Sequence, residues 1–261
     1  MATALASTVV VLTLLVVLAV TSPGWDEFRA KFLDGHLFWT SLPDIARAFR
    51  LNVKIFCISE VLILVLALGI AVLRSLPGPV FFPIRLLAII YTDVFRGIPT
   101  ILVVYMLALG IPALLLSDAN WYRSAVVWSI VALTLVYSAY VAEVYRAGIQ
   151  SVHPSQEAAA RSLGLSRWQA LRFVVLPQAV RRVIPPLLND FIGLQKDTAL
   201  VAIAGPVEAF RQAQIAESAN FNFTPYLCAS LLFLLLTIPL ARFTDWLIER
   251  DRRRFLASGG S

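Results

Sequence analysis

The chain has 261 residues, 59% of them hydrophobic and only 15% charged, with a formal net charge of +6. Soluble domains carry about 45–50% apolar and about 25% charged residues, and here the excess falls in long runs, which excludes an ordinary soluble globule. The arginines sit between those runs, so they read as membrane anchors under the positive-inside rule rather than as a nucleic-acid surface.

Ala2 to Val20 is a charge-free run. It is longer than a signal-peptide core and has no basic residue before it, so an uncleaved first membrane helix is expected. Residues 22–50 mix charges with Trp25, Phe38 and Trp39 and read as an extramembrane loop with interfacial aromatics and a short amphipathic helix. A second span is expected over Ile55–Leu73, a third near 86–111 despite Pro99 and Pro112, and a fourth over Ser124–Ala142. A fifth apolar run, Val183–Val207, carries Asp190, Lys196 and Asp197; the last span is Pro225–Ala241, followed by a basic tail. The chain is thus expected to be an all-α integral membrane protein with six transmembrane helices. The arginine-rich loop 146–182 and the tail place the C-terminus in the cytoplasm, with loops 112–123 and 208–224 outside. Residues 21–54 fit that orientation poorly, since they would lie outside with five basic residues. Cys57 and Cys228 lie in apolar runs and read as buried thiols, and His36 and His153 have no partners at ligand spacing, so no metal site is expected.

The stretch from Pro154 to Pro177 is too polar to span a membrane. Ser155 can cap a helix after Pro154, and Glu157 and Arg161 have the spacing of an i, i+4 pair. Gly164 is a natural stop. Ser166 with Gln169 makes a capping-box pattern for a second helix ending at Leu176-Pro177. The small residues Ala158, Ala159 and Ala160 let another surface approach closely. A connecting loop would explain the polarity but not this order of residues.

Glu157-Ala158-Ala159, Gly164, Val174 and Leu176-Pro177 resemble the EAA signature of bacterial ABC importer permeases. Phe95–Pro99, Tyr140–Ile149, Leu176–Arg182 and Lys196-Asp197-Thr198 are similar to the polar amino acid (histidine/glutamine-type) permeases, over about Asn52 to Arg254. Residues 1–51 are then an additional transmembrane helix and extracytoplasmic loop ahead of a five-helix type I importer core, 52–254. After Pro99, the segment Thr100–Val104 departs from that subfamily's pattern.

The resemblance implies a permease in the bacterial plasma (inner) membrane that moves a polar amino acid or similar small polar solute. It would pair with a second permease, identical or related, above an ABC ATPase dimer, and an extracytoplasmic binding protein would deliver the solute. The hairpin 155–175 would be the coupling helix, with Glu157, Ala158, Ala159, Arg161 and Gly164 at the ATPase. No GxxxxGK[ST] sequence is present, so ATP and Mg are expected on the partner and no catalytic residue or cofactor on this chain. Charged groups in apolar spans are costly and are candidates for function. Glu60, Tyr137, Ser138, Tyr140, Lys196, Asp197 and Thr198 are the candidate pathway residues, while Glu143 and Asp93 read as interfacial partners of Arg146 and Arg96. The competing reading is an ATP-independent secondary transporter, which would show inverted repeats and gives the hairpin no role.

Overall fold

The computed structural model describes residues 2–114 and 124–257, and among these it is helical with no strand. The part of the 112–123 loop from 115 onward lies outside the described residues. The helices are α1 (Ala2–Val20), α2 (Trp25–Phe32), α3 (Gly35–Ser75), α4 (Phe82–Gly97), α5 (Thr100–Tyr105), α6 (Ile111–Leu114), α7 (Ala125–Gln150), α8 (Pro154–Ser162), α9 (Arg167–Ala170), α10 (Leu176–Asp197), α11 (Ala209–Asn220) and α12 (Thr224–Ala257).

By length and apolarity three helices among the described residues suit a membrane crossing, in α3, α7 and α12, and a fourth if α4 and α5–α6 count together. The third span expected near 86–111 is bent by 102° between Gly97 and Thr100. The cause is local. Ile98, the residue before Pro99, is pushed to extended backbone (φ −94°, ψ 132°), so the helix stops and restarts. Pro112 has a second effect. It cannot donate to the carbonyl four residues back, and a π-helical turn at Met106–Gly110 absorbs the mismatch. The same pairing recurs at Leu171–Val175 ahead of Pro177. The second arm of the hairpin therefore does not end at Pro177 but runs through the π turn into α10.

Residues 35–51, read as loop from their charges, form the first turns of the 41-residue α3. Asp34 caps it, accepting the Leu37 N–H at 3.0 Å. Phe38, Leu42, Ile45 and Phe49 recur at helical spacing and pack with Ala209, Ala213, Cys228 and Phe233. α2 is tied to the connection before α12: the Phe223 N–H donates to the Lys31 carbonyl at 2.7 Å, Asn222 donates to the Ala30 carbonyl at 2.9 Å, and the Phe32 and Phe223 rings stack at 4.9 Å. In α1, residues 5–20 are exposed along the whole length. Cys228 is buried as expected, but Cys57 is exposed, because it lies on the outward face of α3.

α7 is the centre of the bundle and packs against α3, α4, α5 and α10. Its inward face carries Ser129, Ala132, Leu133, Val136, Ser138, Ala139 and Ala142, all fully buried. In an apolar solvent helix association depends on close packing rather than on water release, and small residues permit it. Gly148 is the tightest point: a Cβ there would collide with Val183 of α10 and sit 3.4 Å from the Ala179 carbonyl. The stiff Val183 cannot swing aside. Gly148→Ala gains up to about 1 kcal/mol of helix propensity but forces overpacking worth about 1–3 kcal/mol. The expected result is a lower thermal unfolding midpoint in detergent.

Candidate functional site

Two regions gather the chemistry: the exposed hairpin and a polar set inside the bundle. In the hairpin, α8 begins at Pro154 with His153 as its cap; the His153 Nδ1 accepts the Ser155 N–H at 3.2 Å. Ser155, expected as the cap, lies inside the first turn because Pro154 already occupies the first helical position. Gly164 has φ +91°, a conformation disfavoured for L side chains, and the Leu165 N–H closes the turn onto the Ala160 carbonyl at 3.3 Å. Ser166 and Gln169 form the expected capping box. Glu157 pairs across the bend with Arg167 at 3.9 Å, an exposed contact of small energy, rather than with Arg161 along its own helix. Arg161 and Arg167 both line the concave side between the two arms.

The register of the triplet is one residue off the signature. Three residues separate E-A-A from the glycine in the signature, whereas four separate Ala159 from Gly164. The triplet in register with Gly164 is Ala158-Ala159-Ala160, and of these Ala160 is buried under the turn. Sequence reasoning missed two residues at the tip. Leu163 is 86% exposed and Trp168 66% exposed, so the hairpin presents apolar surface beyond the bundle. The signal was available: one apolar side chain beside a turn glycine and another two residues after a capping serine. The hairpin base is held by Val152, Val175 and Ala179 and by Arg182, which donates to the Ser151 carbonyl.

Inside the bundle the predicted pathway residues separate. The Tyr137 hydroxyl donates to Asp197 Oδ2 at 2.9 Å. Asp190 lies within electrostatic reach of Tyr137, and Glu60 within reach of Asp190 and Tyr145, so α3, α7 and α10 bring three carboxylates and two tyrosines toward one region. One Asp190 oxygen is buried with no hydrogen-bond partner among the described residues. Ser138 points elsewhere, sharing a 2.7 Å hydrogen bond with Tyr91. Tyr140 donates to the Arg96 carbonyl at 3.3 Å, and the Arg96 guanidinium lies 5.8 Å from that ring. Asp93 and Arg96 are exposed, and it is this ring rather than an ion pair with Asp93 that holds Arg96. Lys196 lines a separate cleft of about 710 Å³ with Tyr226, Ser230 and Thr237.

Thr198 is fully buried and belongs to a network that the sequence did not reveal. Asn52 donates to Thr198 at 3.1 Å and to Glu208 at 2.8 Å, and accepts the Ala209 N–H at 3.0 Å. Glu208 also caps α11, accepting from the N–H groups of Phe210 and Arg211. Gln195 continues the chain by accepting from Thr237 at 2.7 Å. The Asn52 contacts join positions about 150 residues apart, which no local pattern can reveal. Thr198 begins a 3₁₀ turn, Thr198–Ala204, where the α-helix ends at Asp197.

A bent helix pair, a buried carboxylate oxygen with no partner among the described residues and an exposed helical hairpin suit a membrane transport component. Residues 64–253 match the family described as the binding-protein-dependent transport system inner membrane component, and the chain belongs to that family. It is therefore a permease subunit of an ABC transport system and carries no ATPase site of its own. It is 36% identical over 192 residues to "Probable glutamine ABC transporter permease protein GlnM" of Bacillus subtilis (strain 168), covering 73% of this chain and 85% of that one. It is 31% identical to the arginine transport system permease protein ArtQ of the same organism, over 80% of this chain and 92% of that one. The structure described as an amino acid ABC transporter with histidines superposes with a TM-score of 0.71 at 30% identity, over 81% of this chain and 95% of that one.

Removing Asn52 tests the buried network. Asn52→Leu leaves the fully buried Glu208 short of a donor and the Ala209 N–H unpaired, a loss of about 1–3 kcal/mol per orphaned group. Thr198→Val breaks only one of the Asn52 contacts. The larger fall in unfolding midpoint, measured in the same detergent, is expected for Asn52→Leu.

Proposed function

We propose that this subunit imports a polar amino acid or similar small polar solute across the bacterial plasma membrane, with the hairpin 155–175 as the element that couples it to ATP hydrolysis. The observation that carries the coupling role is the hairpin itself. A glycine turn holds two short arms apart, and Leu163 and Trp168 stand out at the tip with apolar surface and no covering partner among the described residues. Such surface suits a groove on a partner. Glu157, Ala158, Ala159, Arg161 and Gly164 form or flank the docking surface.

In this reading two permeases, identical or related, pair above an ATPase dimer, and an extracytoplasmic binding protein supplies the solute. ATP and Mg are bound by the ATPases. Residues 52–254 form the translocating unit, and 1–51 add a further membrane helix and an extracytoplasmic segment. The C-terminus and the hairpin share the cytoplasmic side, which agrees with the arginines of 146–182 and of the tail. The solute class follows from the glutamine and arginine permeases that this chain resembles. Glu60, Tyr137, Asp197 and Lys196 border the route, while Ser138, Tyr140 and Thr198 shape it from the packed side.

Reconstitution of the chain with its co-purified ATPase and binding protein tests the solute. Radiolabelled glutamine, arginine and glutamate are offered in turn, with ATP-dependent uptake of at least one expected; uptake that ignores ATP would favour the secondary transporter. Gly164→Pro and Glu157→Lys test the hairpin. Each should reduce ATPase co-purification about tenfold, equivalent to about 1.4 kcal/mol, with membrane insertion intact. Wild-type recovery of the ATPase by both variants would remove the coupling role.

A further inference from the structure

At the hairpin end of the bundle a single carboxylate joins three helices. Glu143 of α7 accepts from Arg146 of its own helix, through Nε at 3.0 Å and through a second guanidinium nitrogen. The same carboxylate accepts from Arg74 Nη1, in the last turn of α3, at 2.8 Å. Arg74 Nη1 also donates to Thr92 Oγ1 of α4 at 3.0 Å, and Thr92 is fully buried. The side chains of Arg74 and Glu143 are 13% and 22% exposed, so this is a largely desolvated contact and not a surface pair.

Its position matters because of what lies on either side. Below it, α7 and α10 are locked to the hairpin base by Gly148 against Val183, by Arg182 on the Ser151 carbonyl, and by Val152 with Val175 and Ala179. A displacement of the hairpin therefore moves those two helices together. Above it, α7 meets α3 and α4 mainly through apolar side chains, with the neutral hydrogen bonds of Tyr91 to the Leu135 carbonyl and Ser138 and of Tyr140 to the Arg96 carbonyl as polar contacts to α4. Apolar helix faces can shear past one another by small steps. A charge-assisted hydrogen bond, here from one Arg74 nitrogen shared between Glu143 and Thr92, has direction and resists that slip.

We infer that Glu143 is the joint that carries hairpin movement from α7 to α3 and α4, and is thus a positioning residue for coupled transport. The inference rests on the coupling role proposed for the hairpin. Reading Glu143 as an interfacial partner of Arg146 found only half of it; the Arg74 and Thr92 arms come from helices 69 and 51 residues away in the chain.

The test uses the reconstituted complex, measuring ATP hydrolysed and radiolabelled glutamine, arginine or glutamate taken up. Glu143→Gln keeps the shape of the side chain and removes the charge. It should leave assembly and ATP hydrolysis within twofold of wild type while uptake per ATP falls at least tenfold. Arg74→Gln cuts only the arm to α3 and α4 and should do the same. Arg146→Gln leaves the interhelical link in place and should keep the ratio within twofold. Unchanged ratios in Glu143→Gln and Arg74→Gln would overturn the inference, as would a proportional fall of uptake and hydrolysis together. Failure of both variants to assemble would also overturn it, by making the knot a requirement of the fold. A wild-type complex that takes up none of the three solutes with ATP would instead sink the functional reading, and the joint with it.

Discussion

The close approach of α7 to its neighbours is the constraint from which the other features follow. A helix in an apolar solvent gains little from burying apolar surface against another helix, so association depends on contact density and on polar groups that find partners inside the protein. The alanines and serines along α7 bring α3, α4 and α10 within reach, and Gly148 brings α10 closer still. At that spacing Tyr137 reaches Asp197 and Glu143 reaches Arg74. Bulkier residues on α7 would separate the helices and leave those groups without partners.

Prolines then decide where the helices yield. Pro99 breaks a span and turns the chain by 102°, whereas Pro112 and Pro177 are absorbed by π turns and leave the path continuous. The difference lies in what precedes each one. Gly97 ends its helix easily, and Ile98 is driven to extended backbone, so α4 stops. Before Pro112 and Pro177 the preceding residues Ile111 and Leu176 keep helical backbone, and the helix widens instead of breaking. The second hairpin arm is thereby continuous with α10, so a load on the hairpin enters the bundle directly.

Polar groups fall into two kinds. Asn52, Glu208 and Thr198 bond to one another and hold α3, α11 and the 3₁₀ turn in one arrangement, while Gln195, which accepts from Thr237 of α12, keeps one side-chain nitrogen without a partner among the described residues. Glu60, Asp190 and Asp197 are less fully partnered, and an unpartnered buried carboxylate oxygen costs stability that packing alone does not return. Saturated networks rigidify, while partly satisfied groups are retained where a passing polar solute can complete them. On that division the network around Glu208 is scaffold and the carboxylate face of α10 borders the solute route proposed above.

The sequence alone determined the all-helical membrane class, the family and the hairpin with its glycine turn, because these depend on runs of apolar residues and on capping residues a few positions apart. Even there a local reading went astray where charge masked periodicity: Phe38, Leu42, Ile45 and Phe49 already spelled a helical face within the supposed loop. The tertiary structure alone decided that Asn52 meets Glu208, that Arg74 and Thr92 meet Glu143, and that Glu157 leans on Arg167 rather than Arg161. The first two bring together residues far apart in the chain, and the third spans a bend. A side chain's partner in such cases depends on how the helices cross, which no spacing along the chain encodes.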